Sequence, residues 1–279
     1  MQKRIAAIHD ISCFGRCSLT VALPILSAAG IEASVIPTAI LSTHTGGFSG
    51  YTYRDLTEDI LPIAQHWQSL GLTFDALYTG YLGSFEQLEL VSRLFDTFGT
   101  GGNLLFVDPV MADNGKLYAS FAPEFPQGMA RLCAKADVIV PNLTEAALLL
   151  GREYTPGPYT KAYIEKLLKE LAELGPGKVF LTGVYFDEEQ VGTAAFDKAT
   201  GEIAYAMAGQ IPGYYHGTGD VFGSALLAAL MAGKPLQAAG QIAVDFTVAA
   251  IERTYAAKTD DRCGVNFEAG LGELSRQLV

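Results

Sequence analysis

Ile211-Pro-Gly-Tyr-Tyr-His-Gly-Thr-Gly-Asp-Val-Phe-Gly-Ser-Ala-Leu-Leu-Ala-Ala-Leu230 sets a glycine-rich turn against the start of an apolar, small-residue helix. One acid, Asp220, stands at the junction. The first turn of a helix carries unpaired N–H groups and the positive end of the helix dipole. Gly217 and Gly219 remove side-chain bulk around Thr218, so a phosphate can approach this backbone closely. A carboxylate beside an anion site is electrostatically costly unless it takes part in chemistry there. The role that fits is acceptance of a proton from a hydroxyl attacking phosphorus. The plain alternative is a capped helix, with Thr218 as N-cap and Asp220 as a first-turn acid. The turn is not a Walker A loop, because no Gly-Lys-Ser/Thr follows, and its spacing is not that of the dinucleotide fingerprint. The rest of the chain has to decide.

Outward from this turn, strand-like and helix-like runs alternate. Arg4 to His9 is a short apolar run, Leu19 to Ala29 has helical character closed by Gly30, and Ile31 to Ile40 is β-branched. Pro37 inside that last run predicts a strand near an edge or an irregular one. Tyr53 to Leu70 has helical periodicity, and Ala76 to Thr79 reads as a buried strand. Strands follow at Asn103–Val107, Ala136–Val140 and Lys178–Leu181, with helices around Glu145 to Leu150 and over Tyr163–Leu174. Val191–Phe196 and Glu202–Met207 read as a hairpin, and helices starting at Asp220 and Leu236 fill the end. Such alternation predicts a mostly parallel sheet covered on both faces. No repeat, low-complexity segment or linker interrupts it, so one α/β domain over residues 1–279 is the simplest account.

Strand after strand stops at a polar group: His9-Asp10, Gly80-Tyr81, Asp108, Asn142 and Thr182. Open α/β sheets place their ligands beyond the carboxyl ends of their strands. Each group could be a turn or cap residue, and Asn142 with Glu145 has the spacing of a capping box. Asp108 and Glu145 are also the candidate acids for Mg²⁺, held directly or through water. Ala112-Asp-Asn-Gly-Lys-Leu-Tyr118 reads as a surface loop or as a lid that excludes water.

Hydrophobic residues make up 49% of the chain and charged ones 18%, which excludes disorder and predicts a large core. The formal net charge of −11 argues against nucleic acid or an anionic membrane as main partner. A basic Met1-Gln-Lys-Arg4 is followed by an apolar stretch broken at His9 and Asp10, so no signal peptide is expected. The helix after Asp220 is too short to span a bilayer. A soluble cytoplasmic protein is the expectation. Cys13, Cys17, Cys133 and Cys263 do not make a disulfide framework in a chain this long. Cys13 and Cys17 with His9 lack a second ligand pair for zinc, and reduced thiols packed near the first strand are expected.

Six motifs in fixed order resemble the ribokinase-like superfamily and, within it, the pyridoxal/pyridoxine/pyridoxamine kinases. They are His9-Asp10 through Phe14-Gly15, Ser42-Thr-His-Thr-Gly46, Thr79-Gly-Tyr81, Asp108-Pro-Val110 with Asp113, Pro141-Asn142-x-x-Glu145, and His216-Gly-Thr-Gly-Asp220. The likeness covers nearly the whole chain from Ile8. It implies a single-domain three-layer sandwich with a mostly parallel central sheet and helices on both faces. It also implies ATP and Mg²⁺ as cofactors, a B6 vitamer as the small-molecule substrate, and a homodimer. A monovalent cation such as K⁺ is left open.

Carried over by position, Asp220 resembles the family's general base, and Gly217, Thr218 and Gly219 its anion hole. Asp108, Asp113, Asn142 and Glu145 resemble the Mg-ATP site, and Thr182 with Gly183 the strand end that contacts phosphate and ribose. Thr45 and Tyr81 match positions facing the pyridine ring, and His44 lies beside them with a structural or a direct role. There are departures. Asp10 stands where serine is common, and a carboxylate there could pair with a ring nitrogen or an aminomethyl group. Leu41 replaces a ring-stacking phenylalanine, Val140 a threonine, and the segment around Lys116 lacks a cysteine. Hydroxymethylpyrimidine or a sugar-like alcohol is the alternative acceptor. A catalytically silent vitamer-binding protein is the rival outside enzymes.

Overall fold

Period-two burial builds the centre of the molecule, which the computed structural model describes over residues 2–99 and 101–278. Along β1 (Arg4–Ser12), Ile5 packs into one core while Ala6 and Ile8 pack into another on the opposite face. The strands that follow are β2 (Glu32–Leu41), β3 (Tyr53–Asp55), β4 (Ala76–Thr79) and β5 (Leu104–Val107). After them come β6 (Ala112–Asp113), β7 (Lys116–Leu117), β8 (Val138–Ile139), β9 (Lys178–Val184), β10 (Gln190–Asp197) and β11 (Ile203–Gly209). Phe106, Val138 and Phe180 share the face of Ile5, and Val107, Ile139 and Leu181 share that of Ile8. A sheet apolar on both sides must be covered on both sides.

The main sheet has the order β11-β10-β9-β8-β5-β4-β1-β2-β3. Its six central strands, from β9 to β2, run parallel, and antiparallel pairs finish both edges. The helices are α1 (Leu19–Ala28), α2 (Thr57–Ser69), α3 (Phe85–Phe98), α4 (Phe125–Cys133) and α5 (Leu143–Leu149), then α6 (Lys161–Glu173), α7 (Thr218–Met231), α8 (Leu236–Ala257) and α9 (Leu271–Leu278). Helices α1, α7, α8 and α9 supply the core on the Ile5 face, and α2 to α6 that on the Ile8 face. The three-layer α/β sandwich expected from the sequence is present. Helices α3 and α4 add to the alternation read above. Among the described residues no helix is long and apolar enough to cross a membrane.

Three local readings change and one is made specific. Tyr53–Asp55 is not the start of a helix: it pairs antiparallel with β2, and Asp55 Oδ1 accepts from the Thr57 N–H where α2 begins. The open edge of β2 outweighs the local helical pattern. Second, β2 is near the edge and irregular, as Pro37 predicts: it lies one strand in from the edge, with a register slip against β1. His9 pairs with Pro37, but Ile11 pairs with Ile40. Proline has no N–H to continue the ladder, so an extra residue bulges there and Asp10 sits at the break. Third, Ala112–Leu117 is a hairpin rather than an irregular loop, because Asn114 (φ 51) and Gly115 (φ 76) make the turn that right-twisted strands need. Fourth, β9 runs on to Val184, so Thr182 lies inside the strand and pairs with Thr193. The cysteines are free thiols.

Helix α7 carries the glycine turn and is held by its own apolar body, in which Val221, Leu226 and Leu227 are fully buried. Leu227→Ala should lower stability by about 2–5 kcal/mol, from lost burial plus the cavity left behind. Urea denaturation would show a lower midpoint with an unchanged slope. A change under about 1 kcal/mol would contradict this packing.

Candidate active site

The carboxyl end of β1, the loop into α1 and the first turn of α7 meet at one point. Gly217 is the N-cap of α7 in the left-handed region, φ 75. A Cβ there would lie 2.1 Å from the Arg16 carbonyl oxygen, so only glycine admits this approach. Next to Gly219, in contrast, nothing lies within 4 Å of where a Cβ would stand. Thr218 is the first helical residue rather than the cap, and its hydroxyl donates to the Tyr215 carbonyl at 3.3 Å. The turn therefore offers exposed backbone at a helix N-terminus, the setting in which anions bind.

Asp220, in that first turn, is fixed by two donors. The Ser18 N–H donates to its Oδ2 at 2.8 Å, and the Cys17 thiol donates to the same oxygen at 3.4 Å. Ser18 reaches it by adopting φ 55, which a non-glycine residue rarely does outside functional loops. Surrounding protein pushes the Asp220 carboxyl above its ordinary range, and the two donors pull it back. Beside it, burial and the Asp220 charge hold the Cys17 thiol protonated.

Ser18 also serves Asp10. Its side chain lies beside the Asp10 carboxyl and helps hold it down, and the Ser12 hydroxyl donates to Asp10 Oδ2 at 3.2 Å. Asp10 Oδ1 is buried without a partner. Burial chiefly, with the neighbouring Asp220 charge, pushes the Asp10 carboxyl up to about 6. His9, one residue back, points into the core against the edge of Tyr78, and burial pushes it down to about 3. It is a neutral packing residue.

The acids on the other side of α7 sit at the ends of β5 and β8. Asp108 is buried, and its carboxyl stands well above the usual range through burial and the charges of Glu145 and Asp220. Glu145 is pushed to about 8 by burial, against the pull of its backbone donors. Its oxygens are already occupied: Oε1 accepts from the Met111 and Ala112 N–H groups, and Oε2 from Asn142. Asn142 completes a capping box by accepting from Thr144 and Glu145, and its amide donates to the Ala112 carbonyl. Through these bonds the capping box of α5 also ties down the β6–β7 hairpin. Thr182 bridges to Asn142, and Gly183 follows at φ 70. Asp113 lies on the hairpin and accepts from the Tyr214 hydroxyl at 2.5 Å, joining the hairpin to the loop before the anion turn.

These residues suit a divalent cation in one respect. Asp108 and Glu145 are acids raised chiefly by burial, Asp108 further by the charge of Glu145 and Glu145 by that of Asp113, and positive charge between phosphate and carboxylate would relieve them. Among the described residues no cluster of three or more His, Cys, Asp or Glu has metal-holding geometry. Phosphate oxygens and water would therefore complete the shell of any Mg²⁺ here.

On the opposite side lies the face that would meet an acceptor. Tyr81 is half-buried against Phe121, with ring centroids 5.6 Å apart. Tyr53, brought in by β3, feels the charge of Asp10 as Tyr81 does. Thr45 is exposed on the 42–50 loop. His44 organises that loop: its Nε2–H donates to the Arg262 carbonyl at 2.6 Å, and its Nδ1 accepts from Gly46. Both ring nitrogens are used, which gives His44 a structural role. Ser18, Cys17, Tyr53 and Tyr214 are the site residues not found in the sequence. Ser18 and Cys17 lie in the polar run after β1, but a backbone N–H leaves no signature in residue type.

The chain matches the family described as phosphomethylpyrimidine kinase over residues 23–264. A crystal structure of a Bacteroides thetaiotaomicron protein named for the phosphomethylpyrimidine kinases, solved with pyridoxal, superposes with a TM-score of 0.94. The two are 38% identical, over 98% of this chain and 96% of that one. The pyridoxal kinase of Lactobacillus plantarum gives a TM-score of 0.89 at 33% identity, covering 99% of this chain and 98% of that one. In sequence, a pyridoxal kinase of Rubrobacter xylanophilus is 29% identical over 259 residues, 90% of this chain and 87% of the relative.

Asp10 has a measurable consequence for stability. Its carboxyl rises from an ordinary 3.8 to about 6 on folding, so the native state holds that proton more tightly. The group's stabilisation is full below about pH 4 and is lost as pH rises through about 6, a loss of about 3 kcal/mol at pH 7.5. Asp10→Asn should therefore gain stability relative to the unsubstituted protein as pH goes from about 4 to 7.5 in urea titrations. A difference that does not vary with pH would contradict the burial of a titrating carboxyl here.

Proposed function

The chain belongs to the phosphomethylpyrimidine kinase family and is an ATP-dependent kinase, and on that premise we propose that it phosphorylates the 5′-hydroxymethyl group of a vitamin B6 vitamer: pyridoxal, pyridoxine or pyridoxamine. The observation that carries this is Asp220, held through Oδ2 by the Ser18 N–H beside the open Gly217–Gly219 turn. That leaves Oδ1 to accept the proton of an acceptor hydroxyl as it attacks the γ-phosphorus. The turn's backbone N–H groups meet the transferring phosphoryl group as charge develops on it. Phosphoryl transfer asks the protein mainly for positioning and electrostatics, which this site is built to supply.

Asp108 would hold Mg²⁺ directly and Glu145 through water, and the cation would neutralise phosphate charge. The β6–β7 hairpin, tied to Asn142 and Tyr214, would cover the phosphates and exclude water. Tyr81, Tyr53 and Thr45 would flank the flat acceptor. Pyridoxal in the crystal of a 38% identical relative supports this choice of acceptor. Hydroxymethylpyrimidine is the second reading, favoured by the family's description. The resemblance stated above also leads us to expect a homodimer, and the sequence reading a cytoplasmic protein.

Asp220→Asn should keep the fold and still bind ATP by calorimetry. Its turnover with a B6 vitamer should fall by at least about 100-fold, as for loss of a general base. Turnover within about threefold of the unsubstituted enzyme would remove Asp220 from that role.

A further inference from the structure

We propose that Asp10 selects an acceptor carrying a protonated amine next to its reacting hydroxymethyl group, so that pyridoxamine is the preferred B6 vitamer. The inference rests on the function proposed above and concerns the same site. Asp10 Oδ1 is enclosed and has no hydrogen-bond partner. Its other oxygen accepts from the Ser12 hydroxyl, and the Ser18 side chain lies beside the carboxyl. None of the main influences on it is a cationic side chain, and its charged neighbour is another acid, Asp220. A buried carboxylate left in this state is costly unless a positive group joins it. Nothing in the surrounding elements supplies one: α7 brings Asp220, the loop before α1 brings Cys17 and Ser18, and β3 and the end of β4 bring Tyr53 and Tyr81.

The position of Asp10 says which part of the acceptor it would meet. Ser18 gives its N–H to Asp220, its side chain acts on Asp10, and the Asp220 charge reaches Asp10, so the two carboxyls are neighbours across one serine. With the reacting hydroxymethyl at Asp220 and the C4 edge of the ring turned to Asp10, the group nearest Asp10 would be the substituent on that adjacent ring carbon. The ring nitrogen lies further round the ring. In pyridoxamine that adjacent substituent is an aminomethyl group, protonated at neutral pH, able to donate to Oδ1 and cancel its charge. Pyridoxine places a neutral hydroxyl there, and pyridoxal an aldehyde with no proton to donate.

The test is the kcat/KM of pyridoxamine relative to pyridoxine for the unsubstituted enzyme and for Asp10→Asn, with Asp10→Ser as a second variant. The unsubstituted enzyme should favour pyridoxamine. Both variants should lower the ratio by roughly 10- to 100-fold, mainly through the KM of pyridoxamine, as expected for loss of a charge-assisted hydrogen bond. Taking the ratio removes any effect transmitted through Asp220, which would act on both vitamers alike. If the variants phosphorylate both vitamers with an unchanged ratio, the role of Asp10 is overturned and the proposed function stands. If the unsubstituted enzyme phosphorylates no vitamer, both fall.

Discussion

The 2.8 Å hydrogen bond from the Ser18 N–H to Asp220 Oδ2 joins two parts of the chain that lie 202 residues apart. The rest of the site depends on it. Ser18 makes the bond only in a left-handed conformation, at a backbone cost of about 1–3 kcal/mol. The adjoining loop is held by the Arg16 N–H on the Cys263 carbonyl and by a bridge between Ile11 and Ser18. Gly217 lets the Arg16 carbonyl approach without a clash. The start of α7, the end of β1 and the start of α1 are thus one unit, and the buried cores of the two helices keep it in place.

Around that unit the site is made of acids. Asp10, Asp108, Glu145 and Asp220 are all pushed above their ordinary values, chiefly by burial. Such a site is completed by what it binds: a divalent cation and phosphates near Asp108, a proton-bearing acceptor near Asp220. Glu145 shows how the same side chain serves structure as well. Its backbone donors fix the capping box of α5, so its influence on a cation would pass through water.

Much of the fold can be read from the alternation of apolar runs, because the central strands are buried on both faces and most helices on one. The anion turn is legible for a similar reason, since Gly217-Thr-Gly-Asp220 combines glycines with an acid at a helix start. Tyr53 misleads because the unpaired edge of β2 is a long-range partner that no local window contains. Thr182 is displaced because β9 continues to pair with β10 beyond its apolar run. The Asn114-Gly115 dipeptide did carry a hairpin signal, hidden by the shortness of its strands. Ser18 acts through its backbone and Tyr214 through a contact with Asp113 across 101 residues, so neither is visible in residue pattern.

What remains is the chemical identity of the acceptor. The purified protein, given ATP and Mg²⁺ with equal amounts of pyridoxal, pyridoxine, pyridoxamine and hydroxymethylpyrimidine, would show it by phosphorus NMR of the products. The account predicts 5′-phosphates of the B6 vitamers as the main products. Phosphate on hydroxymethylpyrimidine alone, or ATP left unconsumed, would contradict it.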